Sequence, residues 1–136
     1  MAARTKARKR AVDVLYECEM QSLPLGETLD ARILAQDPPV NDYTVTLIRG
    51  IAEQQSHIDE VLTRYSQGWS LERMPAVDRN VLRIGVYEVL YVDDVPDAVA
   101  VSEAMGLVRD LSTDDSPSFV NGVLGNVVRN KTALTA

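Results

Sequence analysis

Five bases, Arg4, Lys6, Arg8, Lys9 and Arg10, stand among the first ten residues with no acid between them. Arginine brings a planar fork that grips phosphate and stacks on rings, and lysine a compact charge, so the cluster suits a polyanion. The rest of the chain carries only nine of the 14 bases and all 20 acids, a net of −11 hidden inside the overall −6. Only the N-terminal segment can therefore attract a polyanion. The plainer reading, that a basic terminus merely solubilises, stands beside it on composition alone. Far along the chain, Ser116 and Pro117 announce a helix start just before Phe119, the only phenylalanine. On its own spacing Phe119 reads first as part of the core, since it lies four residues before Val123, which is the spacing of a core anchor.

No constellation for catalysis accompanies these residues. His57 is the only histidine and Cys18 the only cysteine, so no zinc set can be assembled from them. Cys18 falls on an apolar helix face, where a thiol serves as a small hydrophobe. The sequence has no glycine-rich phosphate loop, nucleophile elbow or zincin pattern. Asp93-Asp94 and Asp114-Asp115 lack the glycine and closing glutamate of a calcium loop and read as turn residues. We expect no catalytic residue, metal or cofactor. With one cysteine, no apolar run behind the first bases and no span of about 18–20 apolar residues, the chain reads as cytoplasmic and free of the membrane.

The elements that must position these residues are helical. At 136 residues, 46% apolar and 25% charged, the chain can bury a real core as one domain, 1–136, with a basic N-terminal arm at 1–10. Ala11, Val14, Leu15 and Cys18 line one face of a first helix over 8–21. Leu23-Pro24-Leu25-Gly26 breaks it. A short helix with Leu29, Ile33 and Leu34 follows and stops before Asp37-Pro38-Pro39. Asn41 or Asp42 caps a long third helix running through Leu47, Ile51, Ile58, Leu62 and Tyr65 to Gly68. Ser70 caps a brief turn at 71–74. The stretch 77–91 is apolar around most of its girth and should be the central, most buried helix. Arg83 and Glu88 within it suggest a buried or bordering ion pair. Val101, Ala104, Met105 and Val108 mark another helix. Ser116 then caps a last one through Val120, Val123, Leu124 and Val127. The apolar pattern runs straight through Asn121-Gly122, so the helix does too. Gly122 and Gly125 suggest close packing against a helix or ligand. The fold class is all-α, with about seven helices.

Four blocks of this sequence resemble the NusB family: RKRAVDVLY at 8–16, PAVDRNVLRIGVYE at 75–88, VP at 95–96 with SEA at 102–104, and SPSFVNGVL at 116–124. They stand in the family's order across nearly the whole chain. The resemblance implies two roughly perpendicular helical bundles. It implies an antitermination factor that binds boxA-type single-stranded nascent RNA together with NusE, a small-subunit ribosomal protein. The pair would join the RNA polymerase antitermination complex and support ribosomal RNA transcription. It further implies RNA contacts at Arg4, Lys6, Arg8, Lys9 and Arg10, and again at Asp115, Ser116 and Phe119. The partner-facing side would carry Tyr16, Asp78, Arg79 and Tyr87. The chain departs from the family pattern over 36–45, at Gly85, Gly106 and Gly125, and at Asp13, an acid inside the basic segment.

Two rival readings remain at this level. One is the related helical domain that precedes the catalytic domain of certain RNA cytosine methyltransferases. The other is a helical scaffold that binds only protein. A homodimer through the basic face would cover the RNA surface and act as a brake.

Overall fold

The computed structural model describes residues 2–25, 27–35, 40–66 and 68–135. Every regular element among them is helical: α1 (Ala2–Met20), α2 (Leu29–Ala35), α3 (Asp42–Glu53), α4 (Gln55–Tyr65), a 3-10 turn (Leu71–Arg73), α5 (Ala76–Tyr91), α6 (Asp97–Leu111), α7 (Ser116–Arg129) and α8 (Lys131–Leu134). Eight α-helices thus stand where the periodicity suggests about seven. Gly26 and the Asp37-Pro38-Pro39 stop lie outside the described residues. The helices divide into two compact units, residues 1–55 and 56–136.

In the first unit α1 packs on α3. The basic segment is part of α1, which is continuous from Ala2, because alanine, arginine and lysine are all strong helix formers. Its buried face carries Ala7, Ala11, Val14, Leu15 and Cys18. The Cys18 thiol lies 3.2 Å from the Thr28 hydroxyl. Asn41 caps α3, its side-chain oxygen accepting from the Tyr43 N–H at 2.7 Å. The buried Thr44 hydroxyl donates to the Ala7 carbonyl at 2.9 Å and locks α3 to α1. Arg32 of α2 grips Glu17 of α1 through Nε and Nη2, and that hydrogen bond holds the guanidinium above its ordinary pKa. Leu34 is 83% exposed. It lies about 140° around the helix from the buried Leu29, and so short a helix has only one face to bury.

The expected long third helix is two. Gln54 leaves helical geometry at φ −104°, ψ 15°, and donates back to the Gly50 carbonyl, closing α3 before α4 begins. Apolar spacing carries on across this break, which is why the sequence reads as unbroken.

In the second unit α5 is packed by α6, α7 and α8. Its buried face takes in Val81, Leu82, Ile84, Val86, Val89 and Leu90, and also Asp78, Asn80, Arg83 and Glu88. Buried charge requires partners. Arg83 finds one on α4: its Nε and Nη2 donate to the two Asp59 oxygens at 2.9 and 3.1 Å, and Nη1 donates to Asn80 Oδ1 at 3.0 Å. That partner stands 24 positions away on another helix, where spacing within α5 could not reveal it.

Candidate nucleic-acid interface

The five N-terminal bases are distributed around α1 by its pitch. Lys6 and Lys9 are exposed, Arg4 and Arg10 partly so, and Arg8 is only 3% exposed. Tyr43, at the start of α3, gathers two of them. The Arg4 guanidinium sits 4.2 Å from the Tyr43 ring centroid and that of Arg8 5.6 Å. Both lie within the range of cation–π attraction, which holds flexible arginines in place. Arg10 is different. Its Nε and Nη2 are buried with no hydrogen-bond partner among the described residues. A guanidinium in that state is short of acceptors.

The start of α7 forms the other candidate surface, within the second unit. Asp115 stands at the N-cap position without a side-chain capping bond, and Pro117 occupies the first turn. Ser116 was expected to cap. Instead it is the first helical residue, and its buried hydroxyl donates to Asp78 Oδ2 of α5 at 2.8 Å. Its single proton being spent there, it accepts from the Thr113 hydroxyl at 2.9 Å. Ser112 donates to the other Asp78 oxygen at 2.6 Å. Both Asp78 oxygens are thereby turned inward to hold the α7 start against α5. Arg79 is likewise engaged, its Nη1 donating to the Leu71 and Met74 carbonyls at 2.7 and 3.2 Å, which fixes the 3-10 turn over the α5 N-terminus.

That turn delivers a residue the sequence reading did not single out. Trp69 is 52% exposed, and its ring centroid lies 6.0 Å from that of Phe119 at a tilt of 50°. Together with Pro75, Asp78, Thr113, Asp115 and Ser116 the two rings line a cavity of about 310 Å³. The available signal was a lone tryptophan in a turn, outside every helical pattern. Tyr43 was missed similarly, as a mere follower of the cap.

Of the residues assigned to a partner-facing side, Tyr16 is 41% exposed on α1. Tyr87, half-buried on α5, stacks with Tyr91 at 5.4 Å between centroids. His57 Nδ1 lies 2.5 Å from the Tyr91 hydroxyl. Burial, followed by nearby Tyr87, raises the Tyr91 pKa. Among the described residues no set of three or more His, Cys, Asp or Glu side chains gathers to hold a metal ion. No described helix is long and apolar enough to cross a membrane.

The sequence matches the NusB family over residues 5–129. The chain belongs to the NusB family. It is similar to the transcription antitermination protein NusB of Nocardioides sp., with 63% identity over 98% of this chain and 99% of that one. The NusB of Kineococcus radiotolerans is 55% identical over the full length of both. Among solved structures, T. maritima NusB superimposes with a TM-score of 0.80 at 33% identity, covering 93% of this chain and 90% of that one. A chain from a complex of the antitermination factors NusB and NusE with double-stranded RNA gives 0.81 at 25% identity, covering 95% and 98%. Of the four blocks that resemble the family, 8–16 lies in the middle of α1, 75–88 runs onto α5, 95–96 and 102–104 lie just before and within α6, and 116–124 opens α7.

Proposed function

We propose that this NusB-family chain is a cytoplasmic transcription antitermination factor that holds boxA-type single-stranded RNA jointly with a NusE-type small-subunit ribosomal protein, within the RNA polymerase antitermination complex. It acts by binding, without catalysis. The observation that carries this reading is 63% identity to an antitermination protein along 98% of the chain. The related NusB–NusE–RNA complex supports both partners. The residue chemistry agrees with it. Lys6, Lys9 and Arg4 offer phosphate contacts at the surface of α1, Arg8 and Arg10 stand behind them, and Asp115, Ser116 and Phe119 offer a base-reading edge. Tyr16 and Tyr87 are the aromatic candidates for the protein partner, whose side Asp78 and Arg79 support by holding the α5 N-terminus.

A body with a net −11 outside its first ten residues should bind RNA weakly alone and better once a basic partner joins. The test is fluorescence anisotropy of a labelled boxA-type RNA against a scrambled RNA of equal length, at two salt concentrations, with equimolar NusE-type partner. Preferential boxA binding that weakens with salt is the expected result. Equal or absent binding, with the partner shown to be bound, would leave a protein-binding scaffold. The methyltransferase reading is disfavoured, since this chain spans 99% of its Nocardioides relative and leaves that protein no room for a catalytic domain.

A further inference from the structure

We propose that the groove between α6 and the second half of α7 is a docking site for an acidic amphipathic helix of a partner protein. The groove lies within the second unit and shares no residue with the candidate RNA surface at the start of α7.

Asp97, Val101, Met105 and Arg109 recur at every fourth residue of α6 and line one wall. At 1.5 Å per residue that stripe runs about 18 Å, or about three turns. Gly125, Val128 and Arg129 of α7 line the other wall, around a volume of about 650 Å³. A trough of that length accommodates a short helix laid along it. Val101, Met105 and Val128 are each left partly exposed between the two helices. The flexible thioether of Met105 adapts to an incoming apolar face. Gly125 keeps the trough open. Glycine weakens a helix interior, yet no other helix approaches this one. A Cβ here would meet only the guanidinium of Arg129 on the same helix, 3.4 Å away.

Charge decides the occupant. After Arg83 the chain holds three bases, Arg109, Arg129 and Lys131, against eight acids, and all three bases stand at this groove. Lys131 donates to Asp97 Oδ1 at 3.0 Å and neutralises the one acid of the lining. Arg109 makes no hydrogen bond or ion pair among the described residues. Arg129 gives one donor to Asn126 Oδ1 of its own helix and keeps the other four. A guanidinium pairs a carboxylate through two parallel hydrogen bonds. Two such forks beside an apolar floor match a helix with apolar residues on one face and Asp or Glu flanking them. A nucleic acid would offer the arginines its phosphates and leave the floor uncovered.

Methyl-13C methionine in the full-length chain reports Met105, one of four methionines, and Met105→Leu identifies its signal. The probe is a synthetic 14-residue helix with leucines along one face and glutamates on both flanks. Two controls carry lysine in place of each glutamate, or serine in place of each leucine. The acidic peptide should bind and shift the Met105 signal, and each control should bind at least ten-fold more weakly. Arg109→Ala and Arg129→Ala should each weaken the peptide about three-fold, as exposed ion pairs do. Gly125→Leu should reduce binding at least ten-fold by filling the trough. Its fold and RNA binding should persist, because leucine is the better helix former and its Cβ meets only the far end of Arg129. A Met105 signal unmoved by the acidic peptide, or binding that survives Gly125→Leu, would overturn the site. Equal binding of the lysine peptide would overturn the acidic preference. A Met105 signal that moves instead with RNA, or with protein concentration alone, would overturn the proposal in favour of a nucleic acid or a second copy of this chain.

Discussion

Ser116 of α7 donates its hydroxyl to Asp78 of α5 across 2.8 Å, with Asp78 3% and Ser116 2% exposed. This bond joins residues 38 positions apart. It sets the α7 start, and with it Phe119 and Asp115, against the helix that also receives the 3-10 turn. Hydrogen bonds to a buried charge contribute about 1.5–3 kcal/mol, and stranding the acceptor costs a similar amount. Ser116→Ala should therefore lower unfolding free energy by about 2 kcal/mol in urea titration and weaken RNA binding by loosening the cavity. An unchanged midpoint would mean that Ser112 alone satisfies Asp78.

Gly85 provides a second close approach. A Cβ at this position would stand 2.7 Å from Leu124 Cδ1, and Leu124 is fully buried. Gly85→Ala gains about 1 kcal/mol of helix propensity but overpacks the α5–α7 contact at a cost of about 1–3 kcal/mol. We expect net destabilisation. Leu124→Ala alone should cost about 2–5 kcal/mol, and the double variant less than the sum of the two. A Gly85→Ala protein more stable than the parent would show that the leucine tip simply swings aside. Gly106 and Gly125 make no comparable approach to another helix.

Arg10 sets binding against stability. With Nε and Nη2 buried and lacking hydrogen-bond partners among the described residues, it penalises the fold until an acceptor arrives. Arg10→Met should raise the thermal midpoint of the RNA-free chain while lowering RNA affinity. The salt slope should also be read: five phosphate contacts would give at most about −3.5 in single-stranded RNA, and the three outermost bases alone about −2. A slope steeper than −3.5 would show contacts beyond this helix.

Tyr91 yields a pH dependence. Its ordinary pKa of 10.0 is raised in the folded chain by burial first and by Tyr87 second. Below pH 10 the phenol is neutral in both states and its contribution to stability is complete. As pH climbs past 10 the unfolded chain ionises first, so stability drains until the folded phenol ionises too. Absorbance titration near the phenolate band should show a late-ionising component that Tyr91→Phe removes. Its persistence in that variant would assign it elsewhere.

Much of this was legible along the chain. Helix periodicity placed α2, α5, α6 and α7 within a few residues and the end of α1, whose start at Ala2 lies six residues before the expected one, and it carried α7 through Asn121-Gly122 because the apolar spacing never lapsed there. The α3–α4 break escaped, since Gln54 is an ordinary helix former and the apolar rhythm resumes beyond it. The cap at Ser116 was misread for a related reason: a hydroxyl before proline matches the local pattern of a cap, and its true acceptor, Asp78, lies on another helix.

By itself the sequence determined the helical class, the apolar faces that make the core, the confinement of net positive charge to the first ten residues, and the family, because each is written in local spacing or composition. Tertiary structure alone decided which of five bases remain at the surface, that Arg83 meets Asp59 of α4, and that Trp69 comes to rest beside Phe119 over a small, largely apolar cavity. Those outcomes depend on contacts between residues far apart in the chain, and they follow from which faces meet when the apolar surfaces close together.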